Sequence, residues 1–195
     1  MLNSESLYMN RFSVRGVFIV GDLLDDRQHL NFKWDKLGNI ALGRPNLGEE
    51  VPVAVYRLFE YSMGDVLAHE LGAERAEELT RRAGVKAGRE FARNVLNLNL
   101  DKKEFLAQLT QKLLDLKIGV LRVENADLEA GIFTLTIGED LDCSGLPPTG
   151  ELVCNYDEGL LEGIFGEYTK ADFHVREVDC WATGAKTCRF RGRQA

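Results

Sequence analysis

Histidine is scarce. Three occur in 195 residues, at positions 29, 69 and 174. That leaves little material for a Ser–His or Cys–His catalytic pair. His69 stands beside Glu70 on a predicted helix and reads as a surface residue rather than a haem ligand. His174 lies three residues before Glu177 on a predicted strand, so the two side chains point to opposite faces. No apolar run approaches the ~20 residues of a membrane span. The N-terminal stretch lacks a signal-peptide pattern, because Val17-Phe18-Ile19-Val20 is short and is followed by Asp22, Asp25 and Asp26. No Gly-rich dinucleotide fingerprint follows a strand, and Gly16-x-x-x-x-Gly21 is not that motif. Positive charge is in deficit, with 24 Lys and Arg against 31 Asp and Glu and a net charge of −7. That balance argues against nucleic acid as a partner of this chain alone. Internal repeats and low-complexity segments are absent from the sequence. A cytoplasmic protein is the expectation.

Cysteine is missing until position 143 and then occurs four times, at 143, 154, 180 and 188. Without a secretion signal, an even count does not imply disulfides, because the cytosol keeps thiols reduced. A chain of this length buries roughly 70% of its unfolded surface and needs no cross-link to own a core.

The order of elements reads as α+β. Residues 1–48 form an N-terminal extension packed on a main domain over 49–195, with a breaker cluster at Arg44-Pro45-Asn46-Leu47-Gly48. Within the extension, Val14–Val20 suggests a strand, and residues 30–42 suggest a hairpin turning at Asp35-Lys36-Leu37-Gly38. A helix runs from Pro52 to about Leu71, with Val55, Phe59, Met63, Val66 and Leu67 at helical spacing. Gly72 ends it. A second helix covers Ala73 to about Leu96, and Gly84 and Gly88 on one face suit close helix packing. Asp101 caps a third helix striped by Phe105, Leu106, Leu109, Leu113 and Leu116. Strands follow near 120–123 and 132–137. A loop from Cys143 to Gly150 leads to a fourth helix from Glu151 to about Tyr168, and two last strands lie near 173–178 and 187–191. Helices followed by strands, with one later helix inserted, favour α+β over a parallel α/β sheet.

Glu177-x-x-Cys180 and Cys188 flank one strand–turn–strand unit, so the two thiols approach one point. Glu177 reaches the same point if its strand bulges before Cys180. Cys154 opens the fourth helix, where the helix N-terminus stabilises a thiolate. Three sulfurs and a carboxylate make a closed tetrahedral set for a structural zinc. Lys186 and Arg189 are candidates to offset its excess negative charge. Cys143 competes with Glu177 for the fourth position, being the softer donor. The alternative is a set of small buried cysteines without metal.

From about residue 50 to 192 the sequence resembles the 4-vinyl reductase-like domain, which also forms the sensor half of bacterial activators responding to phenol. The resemblance rests on Gly84-x-x-x-Gly88, on Cys154 opening a helix with Gly159 and Gly163, and above all on the segment from Arg176 to Phe190. It implies zinc bound through Cys154, Glu177, Cys180 and Cys188. It implies a bent antiparallel sheet packed on helices, similar to nitric-oxide sensors and vesicle-tethering subunits. It also implies a pocket for a small apolar molecule and a homodimer. The loop Cys143-Ser144-Gly145-Leu146-Pro147 is closer to stand-alone members than to the phenol sensors. Those sensors hold the ligand hydroxyl with a His and a Trp, whose positions fall near Leu114 and on Phe133. Both are apolar here, which points to a larger or less polar ligand than phenol.

Three functions compete. The first is non-enzymatic binding or sensing of a small hydrophobic molecule, aromatic or polycyclic, in an enclosed pocket braced by zinc. The second is a tetrapyrrole vinyl reductase or an accessory factor in tetrapyrrole metabolism. A reductase needs a hydride or electron source, which the sequence does not display, so the balance leans away from an enzyme. The third is a dimeric adaptor without ligand. No ATPase or DNA-binding segment is recognisable, so this chain alone is not expected to activate transcription.

Overall fold

The computed structural model describes residues 32–195. The chain separates into two units, Met1–Asn31 and Phe32–Ala195. The strand expected over Val14–Val20 lies outside the described residues, as does His29. The hairpin expected over 30–42 is replaced by two single turns. Trp34–Leu37 is a 3-10 turn, and Ile40–Gly43 is a one-turn helix, α1. Asn39 accounts for the difference, because its side chain accepts the Leu42 N–H and caps a helix where a strand was expected.

Helix α2 (Val53–Leu71) starts after Pro52 and ends at Gly72, whose φ of 84° turns the chain directly into α3 (Ala73–Val95). Helix α4 (Lys102–Asp115) starts where Asp101 accepts the Glu104 N–H at 2.9 Å. The strands are β1 (Val120–Asp127), β2 (Ile132–Gly138), β3 (Phe173–Asp179) and β4 (Cys188–Gln194). Helix α5 (Asn155–Thr169) lies between β2 and β3 in sequence. It starts four residues later than the sequence suggests, because Cys154 has non-helical angles and stands at its N-cap. The four strands form one antiparallel sheet in the order β1-β2-β4-β3. The α+β reading therefore holds.

The inner sheet face alternates as a half-buried strand pattern requires. Phe133, Leu135 and Ile137 of β2 and Cys188 and Phe190 of β4 are buried. Phe105, Leu109 and Leu113 of α4 join them. Phe133 stacks on Phe165 of α5 at 4.1 Å, and Phe105 meets Phe165 edge-on at 6.2 Å. Helix α5 is buried throughout Asp157–Phe165, since it packs on α3 on one side and β3 on the other. Gly84 and Gly88 of α3 meet Gly159 and Gly163 of α5, and a Cβ at any of the four would overlap the other helix's backbone. Close packing, not ligand approach, is their use.

Strand β3 is an edge, and α5 covers its outward N–H groups with two glutamates one turn apart. Glu162 accepts the Val175 N–H at 2.9 Å, and Glu158 accepts the Glu177 N–H at 2.8 Å. Arg81 and Arg176 neutralise the same carboxylates. The edge is thereby unavailable for pairing with another strand.

Helix α2 is built differently. None of its residues is buried, and its apolar stripe of Val55, Leu58, Phe59, Met63 and Val66 is exposed. It is held instead by polar side chains. Tyr56 donates to Asp142 Oδ1, Tyr61 donates to the Asp142 carbonyl, and Arg57 donates to the Leu141 and Ser144 carbonyls. No described helix is long and apolar enough to cross a membrane.

Candidate functional site

The four cysteines converge. Cys143 comes from the loop after β2, Cys154 from the N-cap of α5, Cys180 from the end of β3 and Cys188 from the start of β4. All are buried, and their sulfurs lie within 4.8 Å of one another. The Cys154 Sγ is 3.8 Å from those of Cys180 and Cys188. Zinc–sulfur bonds of about 2.3 Å in a tetrahedron imply an edge of about 3.8 Å. The three sulfurs therefore match the edges of such a shell. Cys143 and Cys188 are closer, at 3.1 Å. As free thiols the group competes for protons. Hydrogen bonds from the Cys143, Cys154 and Cys188 thiols hold Cys180 well below the usual thiol range, while neighbouring sulfurs push Cys154 upward.

Asp140 shapes the loop that delivers Cys143. Its Oδ1 accepts the N–H groups of Asp142 and Cys143 at 2.9 and 3.2 Å and lies 4.0 Å from the Cys154 sulfur. Glu177 stands beside the cluster. The β3–β4 register shifts between Glu177 and Asp179, the irregularity that its approach requires. Its Oε2 accepts the Cys154 N–H at 3.0 Å, and its Oε1 is buried with no partner among the described residues. Burial pushes its carboxyl up to about 8. The proposed charge compensators do not serve. Lys186 is exposed, and Arg189 is engaged by Glu124 and Asp179.

A second polar group adjoins the sulfurs. Asp140, Asp142 and Asp157 are each at most 3% exposed. Burial first, and then neighbouring carboxylates, raises Asp142 and Asp157 well above the ordinary range. Burial raises Asp140 as well, and it lifts Glu60 to about 7. Sequence reasoning missed this group. Aspartates scattered over 140–157 look like ordinary surface or loop residues, and their only sequence signal was nearness to Cys143 and Cys154.

Three hollows differ in chemistry. A polar groove is lined by Arg75, Arg81, Glu158, Arg176 and Glu177. A shallow basin on the outer sheet face is lined by His174, Arg176, Arg191 and Arg193. The third is an apolar cleft of about 250 Å³, walled by Trp34, Phe91, Ile118 and Leu160 and floored by Leu141 and Asp142. Neither Leu114 nor Phe133 lines any of these. Leu114 is 48% exposed at the end of α4, whereas Phe133 is packed among Phe165 and Phe173. Aromatic side chains fill the space between helices and sheet around Phe133.

Residues 129–194 match the vinyl-4-reductase domain family. An uncharacterized protein of Methanocaldococcus jannaschii is 23% identical over 180 residues, covering 88% of this chain and 94% of its own. Among solved structures, a vinyl-4-reductase family protein from the same organism superposes with a TM-score of 0.54 at 17% identity, over 76% of this chain and 84% of that one. The phenol-responsive sensory domain of the transcription activator PoxR gives a TM-score of 0.56 at 17% identity, over 75% and 76%. The fold extends to a trafficking protein particle complex subunit 3 from Naegleria fowleri, with a TM-score of 0.55 at 12% identity over 74% and 97%. An H-NOX protein from S. oneidensis gives 0.50 at 13% identity over 90% and 89%. The chain is therefore similar to vinyl-4-reductase domain proteins in its C-terminal third, and its fold is that of the nitric-oxide-sensor and vesicle-tethering group.

Proposed function

We propose that this protein binds or senses a small hydrophobic molecule, aromatic or polycyclic, without transforming it, and that a structural zinc braces the site. The observation that carries the reading is the loop Asp140–Cys143. One end of it supplies the floor of the apolar cleft, and the other supplies a sulfur to the cysteine cluster. A metal holding that loop would fix the cleft floor. The phenol-bound PoxR domain supports a ligand role for the fold.

In this reading Cys154, Cys180 and Cys188 are zinc ligands. The sulfur of Cys143, already within the cluster, is the fourth, and it moves outward from Cys188 as the shell forms. Glu177 then orients Cys154 through its N–H. Glu177 itself is the alternative fourth ligand, supported by its unpartnered Oε1. Reduced thiols of this kind suit a cytoplasmic setting. The exposed apolar stripe of α2 supports a homodimer.

Titration calorimetry with 1-naphthol and phenol tests the ligand claim. The cleft exceeds the ~150 Å³ that benzene fills, so 1-naphthol binds more tightly. Phenol binding equal to or tighter than that of 1-naphthol would contradict the reading.

A further inference from the structure

The apolar cleft ends on a carboxylate with an oxygen to spare. Asp142 is 3% exposed, and its side chain lines the cleft. Its Oδ1 accepts the Tyr56 hydroxyl at 3.0 Å, whereas its Oδ2 meets no donor among the described residues. Asp157 and Tyr156 line the same end. Asp140 Oδ2 and Glu60 Oε2, in the same carboxylate group, also lack donors among the described residues. The neighbouring cation, Arg57, makes its hydrogen bonds to the backbone carbonyls of Asp140, Leu141 and Ser144. Buried carboxylates without donors are costly, and a positive group supplied from the cleft would relieve them.

The geometry points to a binding site for a small organic cation, a protonated amine on an aromatic or similarly apolar body, with its ammonium on Asp142 Oδ2. This rests on the ligand-binding reading above and adds a charge to the ligand. The body lies against Trp34 and Phe91, whose rings already meet edge-on at 6.5 Å. An ammonium carries three donors and no acceptor. One reaches Asp142 Oδ2, and the Tyr156 hydroxyl oxygen, on the same wall, is a second acceptor. A neutral hydrocarbon would leave Oδ2 unsatisfied, and a carboxylic acid would be repelled. A volume of about 250 Å³ suits one or two rings.

The test compares 1-naphthylmethylamine, 1-naphthylmethanol and 1-naphthoate on the full chain. Binding is read by calorimetry and by quenching of Trp34, with Trp34→Phe assigning the signal against Trp181. The expected result is an amine affinity about tenfold or more above that of the alcohol, with naphthoate weakest. Asp142→Asn then brings the amine to the level of the alcohol and leaves the alcohol unchanged. Leu37→Ala, at the apolar wall, weakens both alike and identifies the site even where Asp142→Asn fails to fold. Equal affinity for amine and alcohol would overturn the cation proposal while leaving the hydrophobic-ligand reading intact. An amine preference indifferent to both substitutions would overturn the assignment to this cleft. Failure of all three probes to bind would overturn both readings.

Discussion

At the scale of single residues, the buried acids set a pH dependence whose sign is fixed. Glu60 is lifted to about 7 by burial in the folded chain, against an ordinary 4.5. The folded state therefore keeps this proton to a higher pH than the unfolded chain does. The stability it contributes is complete below about 4.5 and is lost as pH rises through about 7. Asp140, Asp142 and Asp157 are raised too and act in the same direction. Thermal unfolding should show a lower Tm at pH 8 than at pH 6. Glu60→Gln should flatten that slope by about 1–2 kcal/mol, a figure reduced for the partial exposure of the group. A Tm that rises from pH 6 to pH 8 would refute the account. The metal centre gives a second residue-level prediction. Cys143→Ala should lower zinc retention more than Glu177→Ala does, as read by elemental analysis, and the reverse order would make the carboxylate the ligand. Cysteines were legible from sequence because four in one third of a chain is an unusual signal. Asp140, Asp142 and Asp157 were not, because nothing in their spacing distinguishes a buried carboxylate from a solvated one.

At the scale of elements, the contact between α3 and α5 and the covered edge of β3 carry the architecture. Gly88→Ala would drive a methyl group into the Leu160 carbonyl. Overpacking of this kind costs about 1–3 kcal/mol or more, and chemical denaturation should show it as a lower midpoint. Glu162→Ala would strand the Val175 N–H and remove the partner of Arg81. A loss of about 1–3 kcal/mol is expected, whereas substitution of the exposed Glu77 should change little. Helices α2 to α4 were readable from their period and their caps, with Pro52, Gly72 and Asp101 marking the limits. The glycines of α3 and α5 were readable as packing residues because small side chains four apart have few other uses. The turns at 34–43 were not, since Asp-Lys-Leu-Gly suits a hairpin as well as a helical turn. The cap on Asn39 decided between them. The start of α5 was not readable either, because the Cys154 N–H is taken by Glu177, a partner distant in sequence. The pocket wall expected from Leu114 and Phe133 depended on how α4 and β2 sit in space, which local pattern does not encode.

At the scale of the whole molecule, two features extend beyond a single fold. The first is the exposed stripe on α2, where Leu58 is 74% and Phe59 is 66% accessible. Light scattering during size-exclusion chromatography should report twice the chain mass of 21.9 kDa. Leu58→Glu should shift the protein toward monomer, while a wild-type monomer would remove that surface from the account. The second is the link from sulfur cluster to cleft through Asp140–Cys143, on which the proposed function depends. If metal holds that loop, its removal should loosen the cleft floor and lower stability together, because the energy of binding a structural metal is folding energy. Native mass spectrometry of the intact protein addresses this most directly. The account predicts about one zinc per chain, lost when Cys154, Cys180 or Cys188 is replaced by Ser. A fully folded chain that carries no metal would contradict it.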